Sequence, residues 1–184
     1  MMEKVVVKEP IPRLTEQEIF EKYGSWAATG KKGGRARNII TSVSLDPVVQ
    51  ENHNHALQQK YADICQNEVL FEEYMCDDVD YVIVAYGSSA RISMKVVELL
   101  REEGIKVGLH RPITLYPFPC DRLKELAINA KGFLCVEMSE GQMIEDVKLS
   151  IECSRPVYHY GRCGGAIHSP GEVLEAFGNF FINH

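Results

Sequence analysis

In the second half of the chain, apolar residues form short uninterrupted runs, each followed by a stretch in which they recur every three or four positions. The first run, Tyr81–Tyr86 (YVIVAY), is apolar on both faces, which is typical of a strand buried between two layers of helices. A helix is predicted after it over about Ala90–Glu103. Further strands are predicted at Lys106–Leu109, Gly132–Met138 and Val157–Tyr160. Four strands alternating with four helices predict an α/β fold with a parallel sheet covered on both faces.

Three helix starts have the spacing of a capping box, in which a side chain and a residue three positions later satisfy each other's backbone N–H groups. The three pairs are Thr15 with Glu18, Ser139 with Gln142, and Ser169 with Glu172. The helix that begins after Thr15 is predicted to be short, because Gly24 ends it.

The first half of the chain lacks this alternation. It is predicted to be an extension, residues 1–78, that precedes the α/β domain, residues 79–184. Val5–Val7 is a candidate edge strand. Apolar positions at helical spacing favour a helix over Asp46–Met75, roughly 40 Å long, part of which would project or pack on another chain. Two shorter helices with a break near Gln66-Asn67 fit the pattern equally well.

The segment Ser25–Arg37 (SWAATGKKGGRAR) carries four basic residues and three glycines. The chain's only tryptophan, Trp26, lies at the start of this segment. Two interpretations stay open. It is either a solvated loop in which Trp26 packs on the core, or a basic anion-binding loop in an otherwise acidic protein.

Composition narrows the range of functions. A net charge of −6 argues against general binding to nucleic acid or to a membrane surface. The longest apolar runs are too short to span a bilayer, and no signal peptide is recognisable. We therefore expect a cytoplasmic protein whose partners include neither nucleic acid nor a membrane. In that compartment the six cysteines are expected to be reduced, with Cys135 a core thiol.

Motifs for metal binding or nucleophilic catalysis are weak. No cysteines form C-x-x-C, which argues against a zinc site or an iron–sulfur cluster. His53 and His55 are two residues apart, so on a helix their side chains diverge by about 200°. No serine lies in a G-x-S-x-G motif. Cys163, beside Arg162 and near His159, is the best candidate for a reactive thiol, since nearby cations lower a thiol pKa.

In a parallel sheet the carboxyl ends of the strands meet at one edge, where α/β proteins usually bind ligands. The residues predicted to gather there are Gly87, Ser88, Ser89, Arg91, His110, Arg111, Glu137, Ser139, Tyr160, Gly161 and Arg162. The arginines in this set and several helix N-termini would make this edge electropositive, with Glu137 as the internal counter-charge.

This edge allows two interpretations. In the first, it is a binding edge: either a pocket for an anionic ligand or the rim of a site that another domain completes. In the second, it is a structural edge in which Arg111 pairs with Glu137 and the serines cap helices. The Gly-Ser-Ser turn is not G-x-G-x-x-G, so it does not indicate a dinucleotide site. No G-D-G with a downstream Asn is present to hold magnesium diphosphate.

Four strings in this region occur in a recognisable order: VAYGSSARIS, EEGIKVGLHRPITLYPFP, FLCVEMSEGQMIEDV and PVYHYGRCGG. Together they resemble the C-terminal domain of the alpha-type subunit of 2-oxoacid:ferredoxin oxidoreductases, of the 2-oxoisovalerate or 2-oxoglutarate type. The resemblance is strong over about residues 80–170 and looser upstream. It implies a fold similar to the C-terminal domain of transketolase: three layers, with a twisted, mostly parallel sheet of about five strands and helices on both faces.

The resemblance also implies a reaction. A 2-oxoacid is decarboxylated on thiamine diphosphate held with Mg²⁺, electrons pass to ferredoxin through iron–sulfur clusters, and coenzyme A takes the acyl group. In such enzymes a pyrimidine-binding domain precedes this segment, and the family's stretch similar to MEKVVV is internal to its subunit. We therefore expect this chain to be a portion of a longer subunit that is inactive alone and carries no cofactor itself.

The partners implied are the pyrimidine-binding domain, a diphosphate-binding subunit and a ferredoxin-like subunit, with a homodimer as a further option. Among the matching positions, the resemblance implies an interface or structural role, and no catalytic role, for Gly87–Ser89, Arg91, Arg111, Glu137, Gly141 and Gln142. Two alternatives from other classes remain. One is a free-standing regulatory module with an anion pocket at the strand edge, and the other is a dimerisation domain that uses the long helix.

Overall fold

The computed structural model describes residues 9–10, 12–30 and 32–182. The helices are α1 (Glu16–Tyr23), α2 (Pro47–Asn67), α3 (Gly87–Glu102), α4 (Cys120–Asn129), α5 (Met143–Ser150) and α6 (Pro170–Phe181). The strands are β1 (Phe71–Tyr74), β2 (Tyr81–Ala85), β3 (Val107–Pro112), β4 (Gly132–Glu137) and β5 (Val157–Gly161). Short 3₁₀ turns lie at Gly24–Trp26 and Lys32–Gly34.

The strands form one five-stranded sheet in the order β1-β3-β2-β4-β5. Strands β3, β2, β4 and β5 are parallel, and β1 lies antiparallel to β3 at one end. In the centre of the sheet, Val84 of β2 lies opposite His110 on one side and Cys135 on the other. The predicted α/β class, with a mostly parallel sheet of about five strands, is confirmed.

Two apolar cores cover the two faces of this sheet. Val82 and Val84 of β2 pack with residues of α4 and α5, whereas Ile83 and Ala85 pack with residues of α3 and α6. Because both faces of β2 are buried, every residue from 82 to 85 is fully buried and the strand is apolar without alternation. Cys135 has no exposed surface, so the prediction of a core thiol is confirmed.

The predicted ends of two elements differ from the structure. Helix α3 begins at Gly87 and not near Ala90, so Gly87, Ser88 and Ser89 form its first turn and do not form a separate loop. Strand β3 continues to Pro112, three residues beyond its predicted end at Leu109, because β1 pairs with its last residues.

The segment after α2 is the largest correction. Helix α2 ends at Asn67, where a break was one of the two predictions, but the residues that follow form strand β1 and not a helix. Phe71 pairs with Pro112 in β3, and Met75, at φ 54°, ends the strand. In the described part of the chain, no helix is both long and apolar enough to cross a membrane.

Two of the three predicted capping boxes are confirmed, at Thr15 with Glu18 and at Ser169 with Glu172. Helix α1 ends at Gly24 as predicted. Helix α5 begins only at Met143 and has no side-chain bond at its N-cap, so the predicted box of Ser139 with Gln142 is wrong.

The chain divides into two compact units, the first ending at His53 and the second beginning at Asn54. The domain boundary between residues 78 and 79 stays a prediction, although β1, which precedes it, belongs to the sheet. Trp26 is 64% exposed, and its packing on the core stays a prediction. The candidate strand Val5–Val7 lies outside the described residues.

Substitution of Gly108 in β3 tests how closely the residues that follow β1 pack on β3. A Cβ atom at this position would lie 2.7 Å from the backbone oxygen of Met75 and 2.8 Å from Cys76 Sγ. Because a backbone oxygen cannot turn aside, we expect Gly108→Ala to lower the free energy of unfolding by about 1–3 kcal/mol, measured by urea denaturation.

Gly171→Ala in α6 is the matched control, since a Cβ there meets nothing within 4 Å. We expect it to be neutral or to stabilise the protein by up to about 1 kcal/mol. Equal effects of the two substitutions would contradict this packing.

Candidate functional site

The carboxyl ends of the parallel strands meet at one edge, as predicted. Ala85 of β2 lies opposite Val136 of β4, and Glu137 at the end of β4 lies opposite Gly161 of β5. The backbone N–H of Arg162 donates to the carbonyl of Glu137 at 3.2 Å. The edge therefore contains the end of each strand from β2 to β5, together with the first turn of α3 and of α5.

Glu137 is the centre of this edge, with only 1% of its surface exposed. Its Oε2 accepts hydrogen bonds from Ser139 Oγ at 2.7 Å and from the backbone N–H groups of Gln142 and Met143 at 3.1 and 3.0 Å. Its Oε1 accepts from the backbone N–H of Ile144 at 3.3 Å. The side chain thus caps α5 from a neighbouring strand and takes the place of the predicted capping box.

His159 of β5 closes the other side of this carboxylate. Its Nε2 lies 3.5 Å from Glu137 Oε1. A Cβ atom at Gly161 would lie 2.7 Å from His159 Nε2 and would also meet the backbone oxygen of Ser139, so the approach leaves no room for a side chain there. Gly141, at φ 97°, makes the turn that brings α5 back to Glu137.

Two of the three arginines predicted at the edge are engaged by carboxylates of this chain. Arg162 pairs with Glu172 at the start of α6, and Arg111 pairs with Glu72 of β1 at 2.8 Å. The predicted pair of Arg111 with Glu137 is wrong, because β2 lies between β3 and β4 and separates these strands by about 10 Å. The counter-charge of Glu137 is the N-terminus of α5.

The first turn of α3 is the part of the edge that faces outwards. Gly87, Ser88 and Arg91 are exposed, while Ser89 is buried. The N-cap of α3 is Tyr86, which makes no side-chain capping bond. The structural alternative in which Ser88 and Ser89 cap the helix is therefore wrong. Whether this edge binds an anion or another domain stays a prediction.

Cys163 does not have the environment predicted for a reactive thiol. It is exposed, and a hydrogen bond and the negative charge of Glu140 raise its pKa. Arg162, the neighbour expected to lower that pKa, is paired with Glu172. The thiol form is therefore favoured at neutral pH, which is the opposite of the expectation for a nucleophile.

A second polar cluster, around His110, was not predicted from the sequence. His110 is completely buried, and its Nδ1 lies 3.0 Å from Glu73 Oε1. Arg122 of α4 holds the same carboxylate through Nε and Nη2, each at 2.9 Å. Burial lowers the pKa of His110, and its contact with Glu73 only partly opposes this. The cluster was missed because Glu73 was assigned to a helix.

The basic loop and the histidine pair lie in the first part of the chain. Arg35 donates from Nη1 to the backbone oxygens of Gly24 and Ser25, at 3.0 and 2.7 Å, and so supports the fold of its own loop. Anion binding by this loop stays a prediction. His53 and His55 are exposed on α2. Among residues 9–10, 12–30 and 32–182, no group of three His, Cys, Asp or Glu side chains is placed to hold a metal ion.

Comparison with known proteins identifies the family. The model of the pyruvate:ferredoxin oxidoreductase core domain II matches residues 79–173, which is more than half of the chain. The chain belongs to this family. The core domain II match begins just before β2 and ends within α6, so it includes every residue of the candidate edge.

Two curated relatives agree with this assignment. Ketoisovalerate oxidoreductase subunit VorB of Methanothermobacter thermautotrophicus is 48% identical over 151 residues, which is 82% of this chain and 42% of the relative. 2-Oxoglutarate synthase subunit KorA of Methanocaldococcus jannaschii is 35% identical over 151 residues, which is 78% of this chain and 41% of the relative. This core domain II chain thus spans about two fifths of the length of these relatives.

Two solved structures share the fold. The 2-oxoglutarate:ferredoxin oxidoreductase of Magnetococcus marinus matches with a TM-score of 0.65 and 19% identity over 83% of this chain and 28% of that chain. A split-gene transketolase, an inactive beta4 tetramer, matches with a TM-score of 0.51 and 19% identity over 59% of this chain and 40% of that one. The resemblance to transketolase-like folds is therefore confirmed for the core domain II.

Removing the charge of Glu137 tests its capping role. In Glu137→Gln an amide NH₂ replaces one oxygen that faces N–H donors, so we expect the free energy of unfolding to fall by about 2–3 kcal/mol in urea denaturation. Glu145→Gln is the control, because Glu145 is exposed and its ion pair with Lys148 contributes about 0.5 kcal/mol at most. A Glu137→Gln protein as stable as the control would contradict the capping role.

The buried His110 predicts a dependence of stability on pH. Its pKa is lowered in the folded chain, so below its unfolded value of about 6.5 the unfolded chain binds a proton that the folded chain does not. The contribution of neutral His110 to the free energy of unfolding is therefore fully present above that pH and is lost as the pH falls below it. His168, whose pKa burial also lowers, adds to the same loss.

The measurement is urea denaturation between pH 7.5 and 5. We expect His110→Asn, whose amide still donates to Glu73, to reduce the pH slope by up to about 1.4 kcal/mol per pH unit. His53→Gln, at an exposed position on α2, serves as the control. An unchanged slope in His110→Asn would assign the pH dependence to other groups.

Proposed function

We propose that this chain is a portion of a subunit of a thiamine diphosphate-dependent 2-oxoacid:ferredoxin oxidoreductase. The reaction converts a 2-oxoacid, coenzyme A and oxidised ferredoxin into an acyl-CoA, CO₂ and reduced ferredoxin. The core domain II match, together with relatives named as ketoisovalerate oxidoreductase and 2-oxoglutarate synthase subunits, supports this proposal. The relatives include both types, so either 2-oxoacid is a candidate substrate.

Within that enzyme, the proposed role of the core domain II is assembly and the shaping of the surroundings of the active site. The geometry that supports this role is a strand edge held by buried contacts: Glu137 ties α5 to β4, and His159 of β5 lies 3.5 Å from the same carboxylate. The first turn of α3, where Gly87 and Ser88 are exposed, directs the positive end of its helix dipole outwards, with Arg91 one turn into the helix. We propose that this face contacts a neighbouring domain or subunit.

The cofactors of the reaction are proposed to lie on other domains or subunits. For thiamine diphosphate, this proposal is supported by the pairing of Arg111 and Arg162 with carboxylates and by Glu137, which occupies the N-terminus of α5. For the iron–sulfur clusters, it is supported by the burial of Cys76 and Cys135 in the core.

The partners proposed are a pyrimidine-binding domain, a diphosphate-binding subunit with Mg²⁺, and a ferredoxin-like subunit that carries iron–sulfur clusters. The compartment proposed is the cytoplasm, and a homodimer of the whole assembly is compatible with this scheme. The alternative of a free-standing anion-binding module is not proposed, since the arginines that favoured it in the sequence are engaged within the chain.

The experiment is affinity purification of the tagged chain from its own cells, followed by assay of the recovered complex. We expect ferredoxin reduction that depends on a branched-chain 2-oxoacid or 2-oxoglutarate and on coenzyme A. Ser88→Trp adds bulk at an exposed position of the α3 turn. We expect it to lower recovery of the partner subunits about tenfold, which corresponds to roughly 1.4 kcal/mol of binding free energy.

Glu102→Trp, exposed at the opposite end of α3, is the matched control and should leave recovery unchanged. Thermal melting of both variants shows whether the fold is intact. Turnover of 2-oxoacids by the purified chain alone, or equal recovery with the two variants, would overturn the proposed role of this face.

A further inference from the structure

A groove of about 900 Å³ lies beside strand β1. We call it the β1 groove. It is lined by the last turn of α2, Phe71 of β1, the segment 115–122, and the carboxylates of Glu125 and Asp146. No motif in the sequence pointed to it, because the strand that forms one wall was assigned to a helix.

The walls of the β1 groove are apolar and exposed. Tyr116 is 65% and Leu115 is 49% exposed, and Leu70 and Ile113 beside them are exposed as well. Single exposed apolar side chains are normal on a protein surface, whereas a contiguous group is typical of an interaction site. These side chains are adjacent along two neighbouring segments, 69–71 and 113–118.

The segment that forms this wall is held in place by the protein itself. The backbone N–H of Ile113 donates to the carbonyl of Leu70 at 2.9 Å, and Thr114 Oγ1 donates to the carbonyl of Pro117 at 2.9 Å. Tyr116 also meets the ring of Tyr61 edge-on, with 6.4 Å between the ring centroids. The groove is therefore largely preformed, which lowers the entropic cost of binding.

Strand β1 offers an open backbone edge next to the groove. It is the last strand in the sheet order and pairs only with β3 in the described part of the chain. Every second residue of such a strand turns its N–H and C=O groups away from its partner. Phe71 belongs both to β1 and to the groove. A strand added to β1 would thus place side chains against the groove.

The charges around the groove favour a positively charged binding partner. Five carboxylates surround β1 and the groove: Glu72, Glu73, Asp121, Glu125 and Asp146. Of the cations here, Arg122 is held by Glu73 and Glu125, and Arg111 is held by Glu72. The surface keeps an excess of negative charge. The β1 strand of a second copy would bring the same carboxylates and be repelled.

We propose that the β1 groove is the docking site for an extended segment of a partner protein, in which aliphatic or aromatic residues are flanked by lysine or arginine. The segment adds to β1 as a further strand, its apolar side chains fill the groove, and the cations that flank them pair with Asp121 and Asp146. This inference rests on the groove itself and does not depend on the oxidoreductase function.

The test uses the full chain and a fluorescein-labelled peptide, KVKFKVK, in a fluorescence anisotropy titration. We expect saturable binding that weakens with salt, and binding at least about tenfold weaker for the acidic peptide EVEFEVE. A KVKFKVK peptide with N-methylated backbone at alternate residues should also bind at least about tenfold more weakly, because it cannot donate to the edge of β1.

A double substitution, Asp121→Lys with Asp146→Lys, should reverse the preference between the two peptides. Glu102→Lys with Glu103→Lys on α3 makes the same change in net charge elsewhere and should retain the original preference. Equal binding of both peptides, or the same preference in the two double variants, would overturn the proposal. Self-association that the groove variant abolishes would also overturn it, in favour of a second copy.

The Ser88→Trp variant separates this test from that of the proposed function. It lies on the α3 turn and should bind KVKFKVK as the unsubstituted chain does, even if it loses its oxidoreductase partners. Failure of the peptide test would likewise leave the assembly result unaffected.

Discussion

A carboxylate with almost no exposed surface, that of Glu137, determines how the ligand-side edge of this sheet is built. A buried charge is stable only where donors surround it, and here the donors come from three backbone N–H groups at the start of α5 and from Ser139. These contacts fix where α5 begins relative to β4. They also bring His159 and Gly161 so close that β5 has no freedom to carry a side chain at residue 161.

The pairing of charges within the chain supports the proposal that this edge contacts a protein neighbour and not a free anion. The positive end of α5 faces Glu137, Arg162 faces Glu172, and Arg111 faces Glu72. The cationic groups that would attract a phosphate or a carboxylate therefore stabilise the fold. What remains exposed is Gly87, Ser88 and Arg91 at the start of α3, on an edge held by buried contacts, which is the arrangement expected of a surface that positions another domain.

The pattern of apolar residues was enough to predict the four parallel strands, because β2 and β4 are buried on both faces and have no polar interruption. It was not enough for β1. Phe71 and Met75 are spaced as on a helix, and only pairing with β3 makes them part of a strand. This error led to a second one, in the ion pairs. Without β1 beside β3, Glu137 was the carboxylate that the sequence offered as a partner for Arg111. The capping box at Ser139 failed for a related reason, since the nearby Glu137 carboxylate accepts the same N–H groups more strongly.

Strand β1 has two structural roles, and each role favours a different kind of residue. Its inner side must satisfy His110 and Arg122 in a partly buried cluster, which requires the carboxylate of Glu73. Burial alone would raise the pKa of Glu73, but the hydrogen bonds from Arg122 and His110 hold it below its usual value, so the strand retains a negative charge. Among residues 9–10, 12–30 and 32–182, no strand pairs with its outer side, which lies beside an apolar groove. Charged residues on an edge discourage pairing with identical strands. The carboxylates that complete the core on one side thus protect the edge on the other against a second copy of the chain, while they leave it open to a segment of opposite charge.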